Sequence, residues 1–503
     1  MNKLKDIRWV VLFSIVIASC NGGKVSKTPG IDEGTMNREV VTAYVTTAAR
    51  SLEFVKREIA FSEKADSMSP FTIALVPDMK FQTMDGFGSA ITGSTAYNLL
   101  KMSEEDRTAF LKETFSESEG MGQNYVRVSI GCSDFSLSEY TCCDKKGIEN
   151  FAMQEEELKY VIPVLKEILA INPGLKVIAA PWTPPLWMKV NNLKELKPFN
   201  SWTSGQLHPA YYQDYATYFV KWIETMTEQG VGIYAVTPQN EPLNRGNSAS
   251  MYMGWQEQNR FIKEALGPKF KEAGLDTKIY LYDHNYDYDS QKEDTKDQGQ
   301  YPLHIYADAE TSQYVAGAAY HNYGGDEAEL LTIHQANPEK ELIFTETSIG
   351  EWNDGRNFEM RLIEDMEKVA LGTVNHWCKA VIVWNLILDS EKRPFRPGGC
   401  NSCFGAVDID KATYKMITRN SHYFIIGHLS SVVKPGAVRI GTSGYAGKNL
   451  VYSAFKNVDN SYAFVVLNKF SVSQKINLYD GTQSFVCGVP AKAVVSYRWF
   501  TNK

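Results

Sequence analysis

Several common functional signatures are missing from this chain of 503 residues. It contains no Walker motif, no H-E-x-x-H zinc pair and no G-x-S-x-G nucleophile elbow, and Gly86-Phe-Gly88 lacks the third glycine of a dinucleotide-binding loop. Basic residues are fewer than acidic ones (52 against 59, net charge −7) and form no stripe, so we expect no nucleic-acid partner. We also expect no metal and no organic cofactor.

Long hydrophobic runs are lacking too, apart from one near the start of the chain. Basic residues precede an apolar stretch over residues 9–18, and small residues then lead to Cys20, which is typical of an export signal. The stretch is too short to span a bilayer as a mature helix. The alternatives are a bacterial lipoprotein signal, acylated on Cys20, and an ordinary secretory signal. We expect a lipoprotein signal over 1–20, a polar tether over 21–38 and an exported protein anchored to a membrane.

Cysteine is scarce, with 8 residues in the whole chain. Lipidation of Cys20 would leave an odd number, and hence at least one free thiol. Cys400 and Cys403 are spaced for a local disulfide or for half of a metal site. No matching Cys/His pair accompanies them, so a disulfide is favoured.

What is present is a regular alternation of short apolar runs with amphipathic segments of helical length. The eight runs cover residues 85–90, 125–131, 175–182, 233–242, 278–285, 315–324, 341–350 and 380–389. Strands that alternate with helices indicate a parallel sheet, and eight of them predict a (β/α)8 TIM barrel over residues 85–426. A doubly wound sheet is the structural alternative.

The two ends of the chain have a different pattern. Residues 427–503 alternate apolar and polar positions between Asn, Asp and Gly turns, which predicts an antiparallel β-sandwich domain. Residues 39–84 are rich in β-branched side chains and are expected to supply further strands to that domain.

Barrel enzymes build their active sites at the carboxyl ends of the strands, so polar and aromatic side chains there are the candidates. By this criterion the candidates are Asp134 after strand two, Trp182 after strand three, Asn240 and Glu241 after strand four, His321 and Tyr323 after strand six, Glu346 on strand seven, and Trp384 and Asn385 on strand eight. Glu241 and Glu346 are expected to face each other across the barrel mouth.

Two opposed carboxyls with aromatic walls suit glycoside hydrolysis. One carboxylic acid protonates the departing oxygen and the other attacks the anomeric carbon. Asn240 is placed to bond a sugar hydroxyl near the reacting carbon, and Trp182 and Trp384 are placed to form a wall for the sugar ring. The aromatic share of 12% suits such a surface, although aromatic residues also fill cores.

Each candidate also has a purely structural interpretation. Glu241 precedes Pro242 and is compatible with a solvated turn, and His321 with a buried structural histidine. Glu346 shares one strand face with Leu342 and Phe344, so its carboxylate is expected to continue an apolar row into the barrel end. Glu351 is the alternative nucleophile.

Seven segments in order resemble glycoside hydrolase family 30, which includes glucosylceramidases and β-1,6-glucanases. They are DGFGSAITGSTAYNLL, YVRVSIGCSDFS, APWTPPLWMK, TPQNEP, AYHNYG, FTETSIGEW and IVWNLILD. The resemblance implies a retaining mechanism with Glu241 as acid/base and Glu346 as nucleophile. It further implies that Asp134, Trp182 and Trp384 hold the cleaved glucose, with Arg127, Asn240, His321 and Tyr323 at supporting positions. The segment 390–405 does not align with the family pattern.

We therefore expect an exported, retaining β-glucoside hydrolase, with β-1,6-glucan as the substrate. A glucosylceramidase or an exo-acting β-glucosidase is the alternative within this class. A non-catalytic glycan-binding lipoprotein is the alternative outside it.

Overall fold

A computed structural model describes residues 38–286, 296–415 and 417–501. The predicted signal with Cys20, and all but residue 38 of the predicted tether, lie outside these ranges. The described residues all belong to one compact unit. Across the described ranges, no helix is both long enough and apolar enough to cross a membrane.

The central element is a closed barrel of eight strands, and every neighbouring pair is parallel. In chain order, barrel strands one to eight are Gly86–Ala90, Tyr125–Ser129, Lys176–Ala180, Ala235–Val236, Lys278–Asn285, Gly317–His321, Glu341–Glu346 and Cys378–Asn385. Each strand pairs with its neighbours in sequence, and strand eight closes on strand one. The TIM-barrel prediction is confirmed, and the doubly wound alternative is wrong.

The strand pattern separates the two faces of the barrel wall. On strand seven, Ile343 belongs to a small interior cluster, whereas Leu342 and Phe344 pack in the larger core under the helices. Our reason for expecting Glu346 in the mouth was therefore wrong, because its supposed row faces outward. A register irregularity accounts for its position: Tyr320 pairs with Phe344, but the next residue, His321, pairs with Glu346.

Helices surround the barrel. The α-helices are Gly93–Lys101, Glu104–Phe115, Ile162–Ile171, Tyr212–Glu228, Trp255–Phe261, Gly267–Glu272, Tyr301–Tyr306, Ala309–Ser312, Ala328–Ala336, Phe358–Glu364, Thr373–Asn375 and Ser421–Ser430. Wider π-helical turns occur at Glu157–Val161, Ile262–Leu266 and Asp365–Gly372, and 3-10 turns at Ile148–Asn150, Leu186–Met188, Pro209–Tyr211, Lys296–Gln298 and Glu351–Asn353.

Nine strands form the side domain as one continuous hydrogen-bonded sheet that curls around its own hydrophobic cluster. They are Val40–Thr47, Val55–Ala60, Thr72–Thr83, Val438–Gly444, Leu450–Lys456, Ser461–Asn468, Gln474–Tyr479, Ser484–Val489 and Ala493–Phe500. The N-terminal strands pair with C-terminal ones, as the predicted fold class requires. One pair departs from the antiparallel pattern, since Thr72–Thr83 and Gln474–Tyr479 run parallel.

The last helix connects the two parts of the compact unit. His428, in the last turn of Ser421–Ser430, lies between the hydroxyls of Thr46 and Ser496, at 2.8 and 2.9 Å. Both hydroxyls belong to strands of the side domain. The sequence-based boundary between 426 and 427 falls inside this helix, and the next sandwich strand starts at Val438.

Short sheets above the barrel shape its mouth. Lys189–Val190 pairs with Gln206–Leu207, Ile349–Gly350 with Cys403–Phe404, and Ile387–Asp389 with Val407–Ile409, which also pairs with Ile417–Arg419. Cys400 and Cys403 form a disulfide with Cα atoms 5.7 Å apart, which answers the choice left open by their spacing.

Candidate active site

The two carboxyls predicted to oppose each other lie together at the carboxyl end of the barrel. Glu241 follows strand four and Glu346 ends strand seven, and both are about 6% exposed. A carboxylate oxygen of each and a ring nitrogen of His321 all lie within 4.8 Å of one another. Carboxylate oxygens this close fit the roughly 5–5.5 Å between the carboxyl groups of retaining glycosidases better than the 6.5–9.5 Å of inverting ones.

The backbone around Glu241 is held from both sides. The Asn240 amide donates to the Pro181 carbonyl beyond strand three at 2.8 Å, and the Glu241 amide donates to the Asp283 carbonyl of strand five at 2.9 Å. Glu241 itself has a left-handed φ of 45°. Such a conformation is costly for a residue other than glycine and persists where the surroundings enforce it. The solvated-turn interpretation of Glu241 is therefore wrong.

Glu346 is bonded by two strong donors. The Arg127 guanidinium donates to its Oε2 at 2.5 Å, and the Tyr323 hydroxyl donates to its Oε1 at 2.9 Å. Arg127 is fully buried and also donates to Oδ1 of Asn240 at 2.7 Å. The guanidinium thus fixes Glu346 and the amide orientation of Asn240 at once, leaving Nδ2 of Asn240 as its donor toward a ligand.

Glu241 has different neighbours. The side-chain amides of Asn244 and Asn247 donate to its Oε2 at 2.8 and 3.0 Å. Its Oε1 faces Nδ1 of His321 at 3.5 Å and Nδ1 of the buried His284 at 3.9 Å. The donors on Oε2 are neutral, in contrast with the guanidinium on Glu346.

Asp283, on strand five, joins this network, although we predicted no site residue on that strand. Arg127 and Thr237 donate to its Oδ2 at 2.8 and 2.6 Å, while Thr345 donates to its Oδ1 at 2.6 Å and His321 Nε2 lies 3.0 Å from the same oxygen. Asp283 is completely buried, and Arg127 holds its pKa far below the ordinary value against the effect of burial. The available signal was an acid at the end of a barrel strand, in the segment YLYDHN.

The ionisable groups perturb one another. Burial raises the pKa of Glu346, helped by Glu241 and opposed by His321 and Arg127. Burial acts on Glu241 in the same sense, but hydrogen bonding and charge from His321 outweigh it and lower the pKa of Glu241. The carboxylates overcome the effect of burial on His321 and raise its pKa to about 9. A cationic His321 therefore favours the anion of Glu241.

Asp134 lies under the loop that follows strand eight. Burial, with the charges of Glu346 and Glu241, raises its pKa to about 7, although the Cys400 amide donates to it. Gly399 lies against it so closely that a Cβ there would come 2.6 Å from the Asp134 carbonyl oxygen. The segment 390–405, which did not align with the family pattern, thus contributes to the site.

Trp182 and Trp384 lie together on one side of the site. Their rings stack on each other with centroids 5.3 Å apart, which is the contact range of an aromatic pair and leaves no room for a sugar ring between them. The Arg127 guanidinium lies 5.0 Å from one ring and 5.5 Å from the other. The pair therefore forms one wall, with a cation behind it.

The remaining candidates differ in their burial and in whether they reach the carboxyl pair. His321 is fully buried, and Tyr323 is 37% exposed at the mouth, with its hydroxyl on Glu346. Asn385 lies deeper, where the Thr92 hydroxyl donates to its Oδ1 at 2.5 Å. Glu351, the alternative nucleophile, is solvent-exposed and pairs with Lys392 at 2.5 Å. The structure brings Glu346 to the site and leaves Glu351 outside it.

The oxygens and nitrogen of Glu241, His321 and Glu346 also have the spacing of a metal site. Arg127, however, already places a full positive charge 2.5 Å from Glu346, where a cation would be repelled. A TIM barrel with two opposed carboxyls within 4.8 Å is the arrangement of a retaining glycoside hydrolase.

The family follows from comparison with known proteins. The glycosyl hydrolase family 30 TIM-barrel domain matches residues 84–433, and the family 30 β-sandwich domain matches residues 436–497. The chain belongs to glycosyl hydrolase family 30.

Individual relatives share most of the chain. An endo-1,6-β-D-glucanase of Neurospora crassa is 32% identical over 81% of this chain and 83% of its own length. The lysosomal acid glucosylceramidase of Mus musculus is 28% identical over 85% and 83%, respectively. The solved structure of the endo-β1,6-glucanase BT3312 is 62% identical, covers 92% of this chain and all of its own, and superposes with a TM-score of 0.89.

Proposed function

We propose that this chain is an endo-β-1,6-glucanase that retains the anomeric configuration and uses Glu346 as nucleophile and Glu241 as acid/base. The observation that carries the proposal is the pair of buried carboxyls within 4.8 Å of each other. The substrate follows from the relatives, because the chain is 62% identical to an endo-β1,6-glucanase and 32% identical to a second such enzyme.

The donors decide which carboxyl attacks. The guanidinium of Arg127 and the hydroxyl of Tyr323 stabilise Glu346 as an anion, as a nucleophile requires. Glu241 must instead hold a proton. The pKa shifts of the two carboxyls run the other way, because a cationic His321 favours the anion of Glu241. The acid role of Glu241 therefore requires the neutral form of His321. A neutral His321 with its proton on Nε2 toward Asp283 presents Nδ1 to Glu241 as an acceptor, which favours the protonated acid.

The reaction then has two steps. Glu346 forms a bond to the anomeric carbon while the bond from that carbon to the departing oxygen breaks, and Glu241 gives its proton to that oxygen. Water next attacks the same carbon, Glu241 takes the proton of the water, and the bond to Glu346 breaks. Nδ2 of Asn240, oriented by Arg127, donates to a sugar hydroxyl beside the reacting carbon.

The test of substrate is a product profile on β-1,6-, β-1,3- and β-1,4-linked glucans. We expect short gluco-oligosaccharides from the β-1,6-linked polymer and little product from the other two. Cleavage of an aryl β-glucoside without release from β-1,6-glucan would instead favour the glucosylceramidase or exo-glucosidase alternative, which the mouse relative makes the second candidate.

We further propose that the protein is exported and anchored to a membrane through acylated Cys20. The support is the sequence alone: basic residues, an apolar stretch and small residues before the cysteine. Cys20→Ala should move the enzyme from the membrane fraction to the soluble fraction. Retention of the variant in the membrane fraction would contradict the anchor.

A further inference from the structure

A cavity of about 440 Å³ is lined by none of the residues of the carboxyl pair and takes no part in the proposed chemistry. Its volume is within the range of about 300–1,000 Å³ common for ligand sites. The aromatic side chains that line it are Trp187, Phe199 and Trp202, and the polar ones include Asp144 and Asn200. Most of this lining comes from the chain that follows barrel strand three.

The walls of this cavity are held in place by a buried lysine. Nζ of Lys189 donates to the Thr183 hydroxyl at 3.1 Å and to the carbonyls of Ser201 and Ser250 at 2.7 and 3.0 Å. Lys189 is 1% exposed. One ammonium group thus connects three segments around the cavity, so the aromatic lining is preorganised rather than loose.

Trp202 joins the cavity to the active site. Its ring lines the cavity and also packs against the cluster that contains the stacked pair Trp182 and Trp384. Its carbonyl accepts from the Ser250 amide at 2.9 Å, which fixes it to the loop beyond Glu241. Trp202 therefore places the aromatic surface of the cavity next to that of the stacked pair.

The chemistry of the lining fits a carbohydrate. Flat apolar rings suit the faces of pyranose residues, while a carboxylate and an amide suit their hydroxyls. Oδ1 of Asp144 accepts from the Thr141 amide and hydroxyl, at 2.9 and 2.7 Å, which leaves Oδ2 as an acceptor for a ligand. A larger cavity of about 600 Å³, along the helix Phe358–Glu364, is lined by three glutamates and no aromatic ring.

We propose that the 440 Å³ cavity is a glucan-binding subsite for sugar residues away from the cleaved bond. The inference rests on the proposed function for its ligand, a β-linked glucan. It assigns Trp187, Phe199 and Trp202 to recognition of the polymer, so their contribution depends on substrate length.

The test compares two substrates, β-1,6-glucan and an aryl β-glucoside that occupies only the reacting subsite and its leaving-group side. In Phe199→Ala and in Trp187→Ala, we expect the ratio of kcat/KM on polymer to kcat/KM on the aryl glucoside to fall about tenfold. Trp377→Ala is the matched control, because that partly buried tryptophan precedes strand eight at the opposite barrel end. It should leave the ratio unchanged.

A direct binding measurement covers the case in which one variant folds poorly. In the Glu346→Gln background, titration with gluco-oligosaccharides should show about tenfold weaker binding when Phe199→Ala is added. An unchanged substrate ratio and unchanged binding would overturn the subsite. If the wild-type enzyme fails to cleave β-1,6-glucan, the proposed function is overturned instead. Titration of Glu346→Gln, with and without Phe199→Ala, with β-1,3- and β-1,4-linked oligosaccharides then tests the subsite separately.

Discussion

Glu341 and Glu346 are the first and last residues of one barrel strand, yet their surroundings are opposite. At the amino end, Lys278 and Lys379 donate to Glu341 at 2.8 and 2.6 Å and lower its pKa to about 2 despite burial. At the carboxyl end, burial raises the pKa of Glu346 although Arg127 is bonded to it.

The difference lies in the balance of charge and in solvent access. At the amino end, three lysines surround Asp85 and Glu341, and each of the three keeps at least 15% of its side chain exposed. At the carboxyl end, the three buried carboxyls of Glu241, Asp283 and Glu346 share one guanidinium and two imidazoles, those of His321 and His284. The charges at the amino end of the barrel stabilise the fold. At the carboxyl end, charged groups are buried at a cost in stability, as is common in active sites.

The largest expected effect separates the two ends by activity. Glu346→Gln should lower kcat by at least about 10³-fold, because it removes the attacking oxygen anion. Glu341→Gln on the same strand is the matched control and should leave kcat within a few-fold of the wild type. Steady-state kinetics on β-1,6-glucan measure kcat for both variants. Equal losses of kcat in Glu346→Gln and Glu341→Gln would show that the contrast between the two barrel ends has no functional meaning.

Glu241→Ala should affect substrates according to their leaving groups. Loss of the proton donor should cost about 10²–10⁴-fold on the glucan, whose departing sugar oxygen needs a proton. An activated aryl glycoside should lose far less in its first step. Similar losses on both substrates would contradict the role given to Glu241.

Asp283→Asn should have the next largest effect. The variant weakens the positions of Arg127 and His321, and we expect kcat to fall about 10²-fold. The carboxylate also raises the pKa of His321, so the limb of the pH–rate profile due to His321 should move to lower pH. Thr345→Val, which removes one hydrogen bond but no charge, should change kcat and the pH–rate profile much less. If the profile does not move in Asp283→Asn, the role of Asp283 is limited to packing.

The smallest effect concerns stability and has opposite signs at the two ends. The lowered pKa of Glu341 stabilises the fold above the unfolded-state pKa of about 4, and that stability is lost as pH falls toward about 2. Glu341→Gln should therefore cost about 1–3 kcal/mol at pH 7 and progressively less on acidification. Because the pKa of Glu346 is raised, Glu346→Gln should gain stability over the wild type as pH rises. Denaturant titrations between pH 3 and 8 measure both trends.

The sequence was sufficient for features that depend on local pattern. The eight strands occur in the order expected for a barrel. Both catalytic candidates lie at the carboxyl end of a strand or shortly after it. Asp283 was missed because strand five is irregular at that point: Tyr282 and Asp283 both have positive φ, and the register shifts between Tyr282 and His284. Alternation gives no guide through such a bulge.

Contacts between segments that are far apart in the chain could not be predicted from sequence patterns either. The stacking of Trp182 on Trp384 depends on how two chain segments that follow different strands pack together. The same holds for the segment 390–405, where the Cys400 amide reaches Asp134. Such contacts are set by three-dimensional closure of the barrel, which residue spacing does not encode.

The most direct test of the two-carboxylate account is the stereochemistry of the first product. The anomeric proton of sugar released from β-1,6-glucan can be followed by NMR in the first minutes, before mutarotation. The account predicts that the β-anomer appears first, because two displacements at one carbon restore its configuration. Initial appearance of the α-anomer would contradict it.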